Sequence, residues 1–407
     1  MASTDAPPPA VTAAEATTLA PSSSSSPPPP PPPPPPAAAA ASPSPAPEGG
    51  KLSGKSSPKS TAGGASPRNA DDAHDDPLSG GHWMQQPVDD DSDSVLDSIL
   101  SSTASLSSSI FEYRNINGRT FHSDKTNAEY WGPNDDKQLQ SQDIIHHCLT
   151  LVLEGKLYLA PIDTGKISKV LDVGTGGGLW AIDFADLHPN LEVTGTDISP
   201  VQPSWVPPNV RFEIEDATLP WTFRENSFDF VHMRYLFGSI PDWDAIFEQA
   251  YAATKPGGWI ESFEADANLY SEDGTVTEDS PMGTWTKVFK EAKKKFGRTF
   301  FPIEEDVQRR GIEKAGFVNV TVKDIKVPMT GFPKDPKLKE IGQYSHLAIE
   351  QDLEGMVLYI FGEVMGWSVI EIHAFLAHFR KQMRNKNCHP LFPIRIVYAQ
   401  KPEKEKE

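Results

Sequence analysis

A glycine-rich segment, VLDVGTGGGLW at residues 170–180, constrains the fold of this chain more than any other feature. It places four glycines within residues 174–178, directly after a short apolar run that is typical of a buried strand. Because glycine has no Cβ, such a turn can adopt positive φ and bring backbone N–H groups close to a ligand at a helix N-terminus. Tight packing alone also produces glycine-rich turns, so this segment predicts a strand, a turn and a helix without identifying a ligand.

Strand and helix patterns alternate after this turn. Predicted strands cover residues 170–173, 191–197, 209–216, 227–234 and 255–264. Predicted helices cover residues 137–156, 178–187 and 243–254. This β-α-β alternation indicates an α/β fold, a Rossmann-like doubly wound parallel sheet with helices on both faces.

The C-terminal third has a different pattern. Predicted helices there cover residues 284–297, 303–315, 337–366 and 368–385. Predicted strands cover residues 317–330 and 392–400. The 337–366 stretch is expected to break at Gly355. We therefore expect an antiparallel edge pair, with a helical insertion between the last two strands that forms a lid or a substrate wall.

The first 110 residues are dominated by Pro, Ser, Ala and Asp and include an unbroken proline run at 27–36, so we expect a disordered tail. The formal charge of −19 argues against a general affinity for nucleic acid or for an anionic membrane. The two cysteines, Cys148 and Cys388, are too few for a disulfide framework. No long apolar run or basic leader is present in the sequence, which predicts an intracellular protein, cytoplasmic or nuclear.

Carboxylates stand at or near the ends of four predicted strands: Asp172, Asp197, Asp216 and Glu264. Ligands of open α/β sheets bind outside the carboxyl ends of the strands, so one site could gather these groups. A dinucleotide fingerprint would need a small residue at position 179, where this chain has Leu179. An acidic residue beside the turn also disfavours a pyrophosphate and suits an ammonium or sulfonium ligand, and S-adenosylmethionine carries both.

Several motifs together resemble the ordered series of class I S-adenosylmethionine-dependent methyltransferases. They are VLDVGTGGGLW, VTGTDIS, IEDA, FDFVHMR and KPGGWIE, within residues 169–264. From NGRTFH at 117–122 to FPIRIVYAQKP at 392–402, the chain is similar to the fungal family that includes LaeA-like regulators of secondary metabolism. The resemblance implies a seven-stranded sheet and a methyltransferase domain over 111–402. Within it we expect a core at 167–265, an N-terminal helical cap at 111–160 and a C-terminal lid with edge strands at 284–402.

The resemblance also implies roles for single residues. The glycines would support the methionine part of the cofactor, Asp172 its amino group, Asp197 the ribose, and Asp216 with Ala217 the adenine, while residues 232–234 would border the transfer site. The implied cofactor-binding residues are Asp172, Gly174, Gly176, Gly178, Asp197, Ile198, Asp216, Ala217, Met233 and Arg234.

His232 and Glu264 are the candidates for a general base, if the acceptor is an oxygen or nitrogen atom. A single histidine on a strand is more often a buried structural side chain. Glu261 and Glu264 alternate with apolar neighbours, which predicts that one faces the cleft and the other is solvated.

Two features before the sheet carry further expectations. The aromatic and basic residues of YRNINGRTFH and AEYWGP, namely Tyr113, Arg119, Tyr130 and Trp131, either fold over the cofactor or pack against the sheet edge. His146 and His147 are adjacent on a helix and point about 100° apart, so we expect no metal there.

The sequence thus favours an S-adenosylmethionine-dependent methyltransferase acting on a small-molecule or protein acceptor, with a link to fungal secondary metabolism implied by the resemblance. Two alternatives stay open. One is a LaeA-like regulatory protein that keeps the cofactor fold and acts through protein partners. The other, weaker, is a Rossmann oxidoreductase. Neither nucleic acid nor a membrane is an expected partner.

Overall fold

The structure of the protein, a computed structural model, describes residue 78 and residues 113–123 and 130–403. All of the described residues belong to one compact unit. The predicted disordered tail at 1–110 lies outside the described residues, apart from Leu78.

The strands form a two-stranded hairpin and a seven-stranded sheet. Their bounds are β1 Arg114–Ile116, β2 Arg119–Phe121, β3 Lys169–Val173, β4 Glu192–Asp197, β5 Val210–Ile214, β6 Phe228–Arg234, β7 Thr254–Ala265, β8 Val318–Pro328 and β9 Leu391–Gln400. The sheet order is β5-β4-β3-β6-β7-β9-β8. Strands β3 to β7 pair in parallel, whereas β9 pairs antiparallel with both β7 and β8. The predicted seven-stranded sheet with an antiparallel edge pair is confirmed.

The helices follow the predicted order with shifted ends. Their bounds are α1 Asp136–Val152, α2 Leu179–Leu187, α3 Trp243–Ala253, α4 Pro281–Phe296, α5 Val307–Ala315, α6 Pro336–Asp352, α7 Gly355–Val357 continuing as a π-helix at Leu358–Val364, and α8 Val369–Arg384. The predicted break in the 337–366 stretch is present just before Gly355. Helix α4 begins earlier than predicted because Ser280 caps it and accepts from the N–H of Gly283.

Helices cover both faces of the sheet, which confirms the doubly wound architecture. On one face, Trp180 and Phe184 of α2 share a buried cluster with Phe230 of β6. On the other face, Phe247 of α3 and Ile312 of α5 lie in a second buried cluster with core residues of β3, β6 and β7. Helices α6 to α8 form the predicted insertion between β8 and β9.

The N-terminal cap was predicted to be helical over 111–160. In the structure its described part contains the hairpin β1–β2 before helix α1. Asn117 and Gly118 form its turn at φ +50° and +82°. An Asn-Gly pair is a strong hairpin signal because both residues tolerate positive φ. That signal was present in the sequence.

Candidate active site

A cavity of about 330 Å³ lies at the carboxyl ends of the parallel strands. Its wall includes the glycine turn after β3 and the chain that follows β4, β5, β6 and β7. The chain leaves β3 for β4 on one side, and β6 lies on the other side. The cavity therefore spans the topological switch point, where ligands of open α/β sheets bind.

The glycine turn forms one wall of this cavity. Gly174, Gly176 and Gly178 all have positive φ, between +58° and +84°. A Cβ on Gly178 would lie 2.4 Å from a ring carbon of Phe212. The turn is fixed to β4 because the N–H of Thr175 donates to the carbonyl of Thr196 at 2.8 Å. The segment thus needs glycine both for its conformation and for its packing.

Asp172 lines the cavity with only 3% of the residue exposed. Its Oδ2 accepts from the Thr175 hydroxyl at 2.6 Å, and its Oδ1 lies 2.7 Å from Nδ1 of His232. His232 stands beside Asp172 because the two residues are partners in the register of β3 and β6. The carboxylate is held in one orientation from both sides.

Asp197 lines the cavity at the end of β4, with Ile198 next to it. Its Oδ2 accepts from the N–H of Gly176 at 2.8 Å, and its Oδ1 accepts from the N–H of Ser199 at 2.9 Å. Burial raises the pKa of Asp197, although these backbone N–H groups oppose the shift. The carboxylate therefore connects the glycine turn to the end of the neighbouring strand.

Asp216 and Ala217 line the cavity after β5. Oδ1 of Asp216 accepts from the backbone N–H and the hydroxyl of Thr218, at 2.9 and 2.6 Å. Its Oδ2 is buried and has no hydrogen-bond partner in the described part of the chain. A buried acceptor of this kind is costly unless a ligand supplies a donor.

Arg234 lines the cavity at the end of β6. Its guanidinium lies 2.9 Å from Nδ1 of His146, whose Nε2 lies 3.0 Å from Asp183. Because arginine can only donate, the Nδ1 of His146 accepts and its Nε2–H donates to the carboxylate. Burial lowers the pKa of Arg234.

Comparisons with known proteins agree with this geometry. The methyltransferase domain family matches residues 144–322. The chain is 39% identical over 304 residues to methyltransferase pytC of Aspergillus terreus, covering 74% of this chain and 92% of that protein. It is 32% identical over 293 residues to secondary metabolism regulator LAE1 of Cochliobolus heterostrophus, covering 70% and 94%. The chain belongs to the LaeA-like family of methyltransferases.

Among solved structures, phosphoethanolamine N-methyltransferase 2 of Haemonchus contortus, in complex with S-adenosyl-L-methionine, has 20% sequence identity and a TM-score of 0.41. The match covers 70% of this chain and 62% of that chain.

Several predicted site residues of this LaeA-like methyltransferase lie on the cavity wall. They are Asp172, Gly174, Gly176, Gly178, Asp197, Ile198, Asp216, Ala217 and Arg234. Met233 does not, which corrects its predicted position. Its side chain belongs to the buried cluster that contains Ile246 and Phe247 of α3, because successive residues of a strand point to opposite faces.

His232 is fully buried, and it too is absent from the cavity wall, so a role as general base has no geometric support. Its ring stacks on Trp180, with centroids 3.7 Å apart and an interplanar angle of 3°. Burial lowers the pKa of His232, which favours the neutral ring. The geometry is that of the structural histidine considered as the alternative.

Glu264 is also fully buried and lies off the cavity wall. Its two oxygens accept from the N–H groups of Leu236 and Phe237, at 3.1 and 2.9 Å, and burial raises its pKa to about 8. Glu261 is equally buried and accepts from two backbone N–H groups of residues 159 and 160. The expectation that one of the two faces the cleft and the other is solvated is wrong, because each holds a loop against the sheet.

Asp266, which no sequence pattern singled out, lines the cavity just after β7. Its oxygens accept from the N–H groups of Ile303 and Glu304, at 2.8 and 3.0 Å, and burial raises its pKa to about 7. The aromatic residues Trp285 and Phe289 of α4 also line the cavity. Their spacing of four residues marked a helix face but could not tell a cavity wall from a core.

The segment before the sheet covers part of the cavity, since Tyr130 and Trp131 line it. Arg119 instead pairs with Asp135 at 2.7 Å and with Asp352 at 2.8 Å, which joins the hairpin to the start of α1 and to the end of α6. Tyr113 is not a lining residue. In the described ranges, no group of three His, Cys, Asp or Glu residues could hold a metal ion. Nor does any helix of those ranges have the length and apolarity needed to cross a membrane.

Proposed function

We propose that this protein transfers a methyl group from S-adenosylmethionine to a small-molecule or protein acceptor. The observation that carries the proposal is the set of three carboxylates, Asp172, Asp197 and Asp216, around a glycine-rich turn at the switch point of the sheet. Family membership supports methyl transfer, and the three carboxylates support S-adenosylmethionine as the cofactor.

The residues present fit this cofactor. Asp172 would bind the amino group, Asp197 with Ile198 would bind the ribose hydroxyls, and the free Oδ2 of Asp216 would accept from the adenine amino group beside Ala217. The carboxylates of Asp172 and Asp197, which contact the turn, would repel the pyrophosphate of a dinucleotide, and this disfavours the oxidoreductase alternative.

The bound cofactor would supply a methyl group already activated on a sulfonium, so the protein needs no covalent nucleophile. The chain's own contribution is alignment and exclusion of water. Asp172 is oriented by His232 and Thr175, which makes His232 a positioning residue in this proposal. Trp131 and the wall of α6, where Ala348 lies, would close the cavity over the reacting groups.

We also propose that one methyltransferase domain spans residues 111–402, with its core at 167–265, a cap at 111–160 and a lid with edge strands at 284–402. The single seven-stranded sheet supports this division, and the cap is a hairpin followed by α1.

Titration calorimetry with S-adenosylhomocysteine and with NAD tests the cofactor. We expect heat of binding with the first compound only, and an affinity at least about tenfold lower for Asp197→Ala. Asp186→Ala, an exposed aspartate on α2, is the matched control and should bind like the wild type. Absence of binding to S-adenosylhomocysteine by the wild-type protein would overturn the proposal.

A regulatory function is the second candidate, favoured by the 32% identity to a secondary metabolism regulator. In that case the cofactor fold would serve mainly to bind protein partners. An Asp197→Ala protein that loses cofactor binding but retains its cellular effect would favour the regulator over the enzyme. Loss of both would favour methyl transfer, with secondary metabolism as its setting.

A further inference from the structure

The cavity has a second half with a composition unlike that of the carboxylate-rich half. We define this acceptor half by its lining residues from the end of β6 onward, together with Trp131; they are residues 234–237, 239–240, 265–267, 269, 285, 289, 329, 345, 348–349, 356 and 392. Most of these side chains are apolar or aromatic. The sheet order explains the division, because β3, β4 and β5 supply one half and β6 and β7 supply the other.

Aromatic rings from three separate segments form the wall of the acceptor half. The ring of Trp131 lies 5.8 Å from that of Phe237 and 6.2 Å from that of Phe289, and Phe289 lies 4.9 Å from Trp285. The indole N–H of Trp131 donates to the carbonyl of Phe237 at 3.1 Å, which fixes its ring. These rings pack against one another and line the cavity, so they present an aromatic apolar wall, which favours an apolar ring as the ligand.

The charged groups of the acceptor half, among the residues that the structure describes, are Arg234 and Asp266. Both oxygens of Asp266 already accept backbone N–H groups. The guanidinium of Arg234 would repel an ammonium or guanidinium group. Asp266 is the one carboxylate among the described residues of this half, and burial raises its pKa to about 7, so it would pair with the charge of a lysine or arginine acceptor only after losing its proton. The acceptor half therefore favours an uncharged acceptor over a lysine or arginine side chain.

One polar group in this wall has no partner. Nε1 of Trp285 is buried and makes no hydrogen bond within the described ranges, and Trp285 is only 8% exposed. Because Nε1 is itself buried, a ligand in the cavity would satisfy this N–H by bringing an oxygen or nitrogen acceptor to it with a small shift of the Trp285 ring.

We infer that the methyl acceptor is an uncharged small molecule with an aromatic or conjugated ring and a hydrogen-bond acceptor that pairs with Trp285. This inference rests on the proposed methyl transfer. In that reaction a bond forms between an acceptor oxygen or nitrogen and the methyl carbon, while the carbon–sulfur bond breaks. Its electron pair stays on sulfur, which yields S-adenosylhomocysteine, and the acceptor's proton leaves to solvent.

The test uses N-phenyl-1-naphthylamine, an uncharged apolar fluorophore, with the full-length protein saturated with S-adenosylhomocysteine. Met356→Glu places a carboxylate in the cavity wall at a half-buried position, and Met365→Glu is the matched change at a half-buried position off that wall. We expect binding of the fluorophore to weaken by about tenfold or more in Met356→Glu and by less than about twofold in Met365→Glu. Both variants should bind S-adenosylhomocysteine like the wild type.

Displacement of the fluorophore tests the polar contact. We expect 2-acetylnaphthalene, which has a carbonyl acceptor, to displace it at a concentration about fivefold lower than 2-ethylnaphthalene does. Trp285→Phe keeps the ring and removes the N–H, so it should abolish this difference.

The result that overturns the inference is equal binding of the fluorophore to the wild type and to Met356→Glu, or its displacement by a short lysine-containing peptide. A wild-type protein that binds the fluorophore as expected but fails to bind S-adenosylhomocysteine would instead overturn the proposed function. The two failures are therefore distinguishable.

Discussion

Replacing His232 with phenylalanine tests whether this buried histidine holds the carboxylate of Asp172 in place. The ring of His232 stacks on Trp180 at 3.7 Å, and phenylalanine would keep a flat ring there. What the variant loses is the Nδ1–H that donates to Asp172 at 2.7 Å. The perturbation therefore removes one hydrogen bond to a buried carboxylate and little packing.

Hydrogen bonds to charged groups contribute about 1.5–3 kcal/mol, so we expect a loss of about 2 kcal/mol in the free energy of unfolding. The unfolding entropy of a domain of about 290 residues is about 0.6 kcal/mol/K, so this loss corresponds to a fall in Tm of roughly 3–4 °C. The affinity for S-adenosylhomocysteine should fall by about tenfold, because Asp172 is no longer oriented toward the amino group. Urea unfolding, thermal melts and titration calorimetry measure the three quantities.

The pH dependence gives a second readout. Because burial lowers the pKa of His232, folding favours its neutral form, and the stability that it contributes is present above its ordinary value of 6.5 and is lost as the pH falls through the folded pKa. The difference between the wild type and the variant should thus be largest above about pH 6.5 and shrink below it. His147→Phe, at an exposed position on α1, should change stability by less than about 0.5 kcal/mol. A His232→Phe protein as stable as the wild type at pH 8, with unchanged ligand affinity, would refute the reasoning.

Three further predictions concern other parts of the molecule. Gly178 has φ +84°, and a Cβ there would lie 2.4 Å from a ring carbon of Phe212, so Gly178→Ala should weaken binding of S-adenosylhomocysteine by more than about tenfold in calorimetry. Gly155→Ala is the control, because Gly155 has a similar φ of +85° with nothing within 4 Å of the new Cβ, and it should not weaken binding. Arg119→Met leaves the carboxylate of Asp352 buried without its guanidinium partner and should cost about 3 kcal/mol in urea unfolding, and adding Asp352→Asn should recover part of that loss; no recovery would argue against the ion pair. Burial raises the pKa of Glu264 from its usual 4.5 to about 8, so its contribution to the free energy of unfolding should fall as the pH rises from about 4.5 to about 8. Glu264→Gln should flatten the measured slope without abolishing it, because burial raises the pKa values of Asp266 and Glu261 to about 7; an unchanged slope would contradict the prediction.

Local patterns in the sequence were sufficient to predict much of the fold. The strands from 170 to 264 and the helices between them follow from apolar periodicity and from turn residues, which act over a few positions. The glycine turn and the aspartates at or near the carboxyl ends of β3, β4 and β5 are local features of this kind, and Asp172, Asp197 and Asp216 all line one cavity.

The ends of β6 and β7 were harder to interpret, for a physical reason. Strand β6 is buried on both faces, so its sequence lacks the alternation that would separate Met233, which packs in the core, from Arg234, which lines the cavity. Strand β7 ends at Ala265, so the alternation of its side chains between the two faces of the sheet does not extend to Asp266. Asp266 lines the cavity and Glu264 does not.

The sequence by itself therefore determined the order of strands and helices, the glycine turn and the positions of the carboxylates along the chain, because these depend on residues close to one another. Only the tertiary structure decided which groups meet. The register of β3 with β6 brings His232 to Asp172, and the folding of distant segments brings Trp131 to Phe289 across the acceptor half. Contacts between residues that are far apart in sequence depend on packing and register, which no single stretch of the chain encodes.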